Sequence, residues 1–112
     1  MNQNGPSGAP GLSVVIPVYN EEKTLATIVA KLKEIPQLRE IIIVDDCSKD
    51  GTPEIGKQLA AEDVRIRYVR QPKNGGKTEA LKAGFALTTG EVVIVQDADL
   101  EYDPEDIPSV IE

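Results

Sequence analysis

Short apolar runs alternate with amphipathic stretches along most of this chain. Val14-Val15-Ile16, Ile41-Ile42-Ile43-Val44 and Val92-Val93-Ile94-Val95 are unbroken β-formers, the pattern of strands buried on both faces of a parallel sheet. They predict strands over Leu12 to Pro17, Ile41 to Val44 and Glu91 to Gln96. A half-buried strand is expected at Val64 to Val69, where Arg65 and Arg67 interleave with apolar positions. Leu25, Ile28, Val29 and Leu32 fall at i, i+3, i+4 and i+7, a one-faced helix with Asn20 as N-cap, acids in its first turn and Pro36 as its stop. Thr52-Pro53-Glu54 reads as N-cap, N1 and acidic first turn of a second helix that turns Ile55 and Leu59 inward and ends near Glu62. A third helix is expected from Lys77 to Thr88, with Leu81, Phe85 and Leu87 as core, and a fourth helical pattern begins at Pro104.

The order βαβαβαβ predicts an α/β fold, a Rossmann-like parallel sheet with right-handed crossovers and helices on both faces. Ligands of such sheets bind beyond the carboxyl ends of the strands, where strand order reverses. The polar segments Tyr19-Asn20-Glu21, Asp45-Asp46, Lys73 to Lys77 and Asp97 to Glu101 each follow a predicted strand. With strand order 3-2-1-4, all of them line one rim.

Composition narrows the chemistry. The chain has 112 residues, one small domain or part of one, with 40% apolar and 4% aromatic residues, hence an aliphatic core. Against 12 Lys+Arg stand 19 Asp+Glu, a net charge of -7, which argues against a nucleic-acid or anionic-membrane surface. There is no histidine, so His-based zinc sites and His acid–base chemistry are excluded. The single cysteine, Cys47, cannot form an internal disulfide. No apolar run approaches the roughly 18 residues that span a bilayer, and the Gly- and Pro-rich segment from Met1 to Gly11 reads as a flexible leader without signal-peptide character. A cytoplasmic chain with no membrane segment is expected.

Asp97 and Asp99 are the sharpest candidate chemistry. Alternate residues of an extended segment point the same way, so both carboxylates can face one point, where they repel unless a cation lies between them. A hard divalent ion, completed by phosphate oxygens, suits that pair, whereas a neighbouring lysine already neutralising it would remove the need. Other phosphate sites fit less well. No G-x-G-x-x-G follows the first strand, and Gly76-Lys77-Thr78 lacks the first glycine of a P-loop, where Gln71 stands. Asp97-x-Asp99 also matches part of the aspartate-nucleophile phosphatase and mutase pattern, but Glu101 stands where a Thr or Val is wanted. Glycine amides at Gly75-Gly76 and the first-turn Lys77 suit an anion, and Glu22 suits the positive end of a helix dipole. One of Asp45 and Asp46 can accept the N–H of a base, the alternative being an Asx-type turn.

Taken together, Ser13-Val14-Val15-Ile16-Pro17-Val18-Tyr19-Asn20-Glu21, Ile43 through Thr52, Asn74-Gly75-Gly76-Lys77 and Gln96 through Pro104 resemble the family-2 glycosyltransferases of GT-A fold, in particular the dolichyl- and polyprenyl-phosphate mannosyl- and glucosyltransferases. The resemblance implies a nucleotide-sugar donor, GDP-mannose or UDP-glucose, bound with Mg²⁺ or Mn²⁺, and a lipid-phosphate acceptor. By position it implies that Pro17, Tyr19 and Glu21 lie along the nucleotide and that Val44 and Asp46 flank the base. Asp97, Ala98 and Asp99 would hold ribose, metal and diphosphate, with Glu101 as a further metal ligand. Members of the family continue well past this length. The expectation is therefore that residues 12–112 are the donor-binding half of a GT-A domain, able to bind nucleotide weakly without turnover, in a protein at the cytoplasmic face of a membrane. A nucleotide-binding module without chemistry is the alternative.

Overall fold

The computed structural model describes residues 11–98. Within them the order is β1 (Leu12–Val18), α1 (Leu25–Leu32), β2 (Leu38–Asp45), α2 (Thr52–Glu62), β3 (Ile66–Arg70), α3 (Gly76–Phe85) and β4 (Val92–Val95). The strands form one parallel sheet in the order β3-β2-β1-β4, as the apolar pattern predicts. The leader to Pro10, and everything from Asp99 onward, including the helical pattern at Pro104, lie outside the described residues.

Alternation along the two central strands divides the core. Leu12, Val14, Ile16 and Val18 of β1, with Ile41 and Ile43 of β2, pack under α1 and α2, and Leu25, Ile28, Val29 and Leu32 of α1 are fully buried against them. Each such side chain contributes about 1.5–3 kcal/mol relative to exposure. On the opposite face Val15, Ile42 and Val44 meet Ala80 of α3, so helices cover both faces. That second layer is thin because α3 presents small residues. A Cβ on Gly84 would stand 2.5 Å from Val15 Cγ1, so glycine is what lets the helix approach β1.

Several boundaries differ from the sequence expectation, each for a local reason. Asn20 adopts φ 55 and does not cap α1, which starts at Leu25 after Thr24. Gly51 is the N-cap of α2, and Thr52 is its first residue. Val64 is 98% exposed, because the Ile66 amide closes a tight turn on the Asp63 carbonyl and the strand begins only beyond it. Phe85 is half exposed, since Ala80 and Gly84 fill the sheet-facing side of α3. β4 is not buried on both faces among the described residues. Val93 and Val95 pair in register with Ser13 and Val15 on the α3 side, but α3 lies over β1 and β2, leaving these valines about 40% exposed.

Parallel register then brings the strand ends to one rim. Val18 pairs with Asp45, Asp45 with Arg70, and the Gln96 amide continues the ladder onto the Val15 carbonyl.

Candidate functional site

The loop after β1 is shaped by the loop after β2. In its left-handed conformation Asn20 donates its amide to Ser48 Oγ and accepts the Lys49 amide on Oδ1, both at 2.8 Å. The Glu21 amide donates to Thr52 Oγ1 at 2.8 Å, and Glu22 Oε1 accepts the Gly51 amide at 2.7 Å. Glu22 therefore binds the neighbouring loop instead of complementing the dipole of α1. Burial works against ionisation of Asp50, yet hydrogen bonds from the Thr52 hydroxyl and from the Thr52 and Glu22 amides hold its carboxyl below the ordinary range. This lacing fixes Tyr19 and Glu21 on the rim.

Asp45 and Asp46 have separate tasks. Asp45 is fully buried; its Oδ1 accepts the Ser48 amide at 2.8 Å, the Asx-type turn considered from sequence, and its Oδ2 accepts the Tyr68 hydroxyl. Asp46 faces the other way. Its two oxygens accept the Gly75 and Gly76 amides at 2.9 Å each, and its carbonyl accepts from Asn74 Nδ2. The glycine amides that suited a phosphate are thus turned onto a carboxylate of the chain itself, a second reason, beside the missing glycine, against a P-loop. Gly76, at φ 87, makes the sharp entry into α3 that this clamp requires.

Around these loops lies a cavity of about 350 Å³, within the size range of small-ligand sites. Pro17, Tyr19, Glu21, Asp46, Lys77, Asp97 and Ala98 line it, together with Val18 and Ala80. Seven of the sequence candidates are thus brought to one place. Val44 is not among them: its side chain is fully buried in the layer under α3, so it does not flank the cavity as expected. Asp99 and Glu101 lie outside the described residues. Val18 and Ala80 went unassigned because nothing in an apolar side chain marks it as a wall, although Ala80 stands one turn beyond Lys77 on α3. Thr24 Oγ1 donates to the Ala98 carbonyl, tying the start of α1 to the segment after β4.

One expectation needs correction. The spacing of Asp97 and Asp99 left a metal as the natural counter-charge, but Lys77 Nζ stands 2.6 Å from Asp97 Oδ1. Both partners are open to water, the lysine side chain 57% and the aspartate 32% exposed, so the pair holds at most about 1 kcal/mol. A divalent ion can displace so weak a contact. The lining also keeps an acidic excess, with Glu21, Asp46 and Asp97 against Lys77, which repels a bare diphosphate. Among the described residues no three acidic or thiol groups cluster as a metal cage. The donor chemistry nevertheless fits Mg²⁺ or Mn²⁺, since Mg²⁺ is commonly held through one or two carboxylates and completed by phosphate and water.

Residues 13–112 match the family described as Glycosyl transferase family 2. The chain belongs to that family. Among curated relatives of this family-2 chain, it is 40% identical over 106 residues to the undecaprenyl-phosphate 4-deoxy-4-formamido-L-arabinose transferase of Aeromonas hydrophila, covering 90% of this chain and 32% of that one. It is 35% identical over 113 residues to the dodecaprenyl-phosphate galacturonate synthase of Rhizobium johnstonii, covering 96% and 33%. The chain thus spans about a third of the length of the curated relatives it matches. Among solved structures, the mannosyltransferase PcManGT of Pyrobaculum calidifontis in complex with GDP-Man and Mn²⁺ superposes with a TM-score of 0.75 at 30% identity, over 85% of this chain and 29% of that chain. S. aureus TarS 1-349 in complex with UDP-GlcNAc gives 0.75 at 25% identity, over 90% and 30%. The expected GT-A architecture is borne out. No helix among the described residues is long and apolar enough to cross a membrane.

Proposed function

We propose that this chain is the donor-binding part, residues 12–112, of a glycosyltransferase that moves a sugar from a nucleoside-diphosphate sugar to a polyprenyl phosphate with Mg²⁺ or Mn²⁺. The observation that carries this reading is the cavity at the carboxyl ends of β1 and β2, where Tyr19, Asp46, Lys77 and Asp97 meet. GDP-mannose and UDP-glucose are the donors proposed. The structural neighbours support the nucleotide-sugar class, and the relatives' names widen the sugar to arabinose and galacturonate types. Those names also support the lipid-phosphate acceptor, and with it we place the whole protein at the cytoplasmic face of a membrane.

In this reading the half-exposed ring of Tyr19 covers the base or ribose, with Pro17 and Glu21 along the same wall. Asp46 keeps a second lone pair on each oxygen and accepts a base N–H there. Asp97 and Asp99, with Glu101, would hold the divalent ion, and Asp97, Ala98 and Asp99 would together hold the ribose and diphosphate. When bound, the ion neutralises the charge that builds on the departing nucleoside diphosphate. Lys77 contributes a further positive charge at the diphosphate. The family assignment favours this reading over an aspartate nucleophile at Asp97.

Calorimetric titration of the chain with GDP and with UDP, each with and without Mn²⁺, tests it. Binding that requires the metal is expected. Metal-independent binding, or none with either nucleotide, would count against the assigned site.

A further inference from the structure

We propose that Lys77 is an internal stand-in for the divalent cation: it holds Asp97 while the cavity is empty and moves to the diphosphate when the metal takes that carboxylate. Metal and nucleotide then bind cooperatively. This rests on the function proposed above and adds a coupling that the function alone does not require.

Three observations carry it. First, the ammonium is 2.6 Å from Asp97 Oδ1, and both residues line the same cavity. A divalent ion on that carboxylate, at about 2.0–2.1 Å, would bring two cations within a few ångströms of each other, so lysine contact and metal ligation compete for Asp97. Second, Lys77 stands in the first turn of α3, where the helix dipole disfavours a cation. The side chain gains from an anion close by, and a diphosphate offers one as good as Asp97. Third, the backbone below it is clamped while the side chain is largely exposed. Asp46 clamps the amides of Gly75 and Gly76, whereas the Lys77 side chain is 57% exposed on a flexible four-carbon stem. The ammonium can change partners without any movement of α3.

Linkage then fixes the consequence. Mn²⁺ alone costs the Lys77–Asp97 pair, whereas Mn²⁺ with a nucleoside diphosphate offers the ammonium another anion in exchange. Each ligand tightens the other by the same factor.

The test measures Mn²⁺ binding to the full chain from the paramagnetic resonance of free Mn²⁺, without and with saturating GDP or UDP. Wild type is compared with Lys77→Met and Lys77→Arg. In Lys77→Met, Mn²⁺ alone is expected to bind roughly fivefold more tightly, the equivalent of an exposed charge pair, and the coupling with nucleotide to shrink by a similar factor. Lys77→Arg keeps the charge and is expected to behave as wild type. Unchanged or weaker Mn²⁺ binding by a folded Lys77→Met overturns the stand-in role and leaves the proposed function in place, provided that wild type binds metal and nucleotide together. A wild type that binds neither overturns both.

Discussion

Tyr68 on β3 donates its hydroxyl to the Asp45 carboxylate at the end of β2, at 2.5 Å, and so ties two strand ends beneath the rim. Arg70 adds a guanidinium 3.6 Å from the same oxygen. Burial, then the hydrogen bond to Asp45, pushes the Tyr68 hydroxyl up to about 12. The folded value lies above the unfolded one of about 10. The stabilisation is therefore complete below pH ~10 and is lost as pH rises through ~12. An ultraviolet titration should show a tyrosine ionising near pH 12 that is absent from Tyr68→Phe. At neutral pH the same variant removes one donor from a buried carboxylate, and urea unfolding should show a loss of about 1–3 kcal/mol.

The ring of Tyr68 also covers α2. A Cβ on Gly56 would lie 2.4 Å from its Cδ1 and 2.8 Å from its Cε1. The ring cannot swing aside without breaking the bond to Asp45. Gly56→Ala gains about 1 kcal/mol of helix propensity but meets an overpacking cost of about 1–3 kcal/mol. Net destabilisation of up to about 2 kcal/mol is expected in urea unfolding. In the Tyr68→Ala background the sign should reverse, since the obstructing ring is gone.

What the sequence made legible, and what it hid, follows from the kind of signal each residue carries. The four-stranded parallel order and the buried stripe of α1 came from unbroken apolar runs and a helical period, which report burial directly. Tyr19, Asp46, Lys77 and Asp97 share a cavity as expected, because parallel strands send their carboxyl ends to one rim. Size misled on α3: Phe85 was the obvious core residue, yet Gly84 and Ala80 face the sheet and bring the helix too close for a ring on that side. Val44 shows the opposite failure. It neighbours the site in sequence, but strand alternation turns its side chain into the core. The pairing of Lys77 with Asp97 joins positions 20 residues apart, and no local pattern announces it.

Asp63 ends α2 and offers a second pH test. It accepts the Arg65 amide at 2.9 Å and the Arg65 guanidinium at 3.1 and 2.9 Å, with Lys33 at 4.0 Å. The hydrogen bonds from Arg65 hold its carboxyl at about 2. A depressed folded value stabilises above the unfolded pKa of about 3.9 and loses that contribution as pH falls through ~2. The guanidinium is partly exposed, so the charge pair is worth about 1 kcal/mol or less. Asp63→Asn should cost that much at pH 7, and variant and wild type should converge near pH 2. A carboxyl carbon shift of Asp63 with its midpoint near 4 would contradict the arrangement.

The clamp of Asp46 on the start of α3 separates a structural role from a ligand role. Both carboxylate oxygens accept backbone amides, and the residue is only 6% exposed. Asparagine keeps one acceptor and turns an NH₂ toward the other amide, which leaves a poorly hydrated N–H facing a donor. Asp46→Asn should therefore destabilise the ligand-free chain by about 1–3 kcal/mol in urea unfolding. Gly76→Ala provides the comparison: nothing stands within 4 Å of its Cβ position, so its cost is the left-handed backbone alone, about 1–2 kcal/mol. Both changes loosen the turn that carries Lys77 and should weaken nucleotide binding with Mn²⁺. An Asp46 that served only to accept a base N–H would give a different result, with affinity falling in Asp46→Asn while ligand-free stability stayed at the wild-type value.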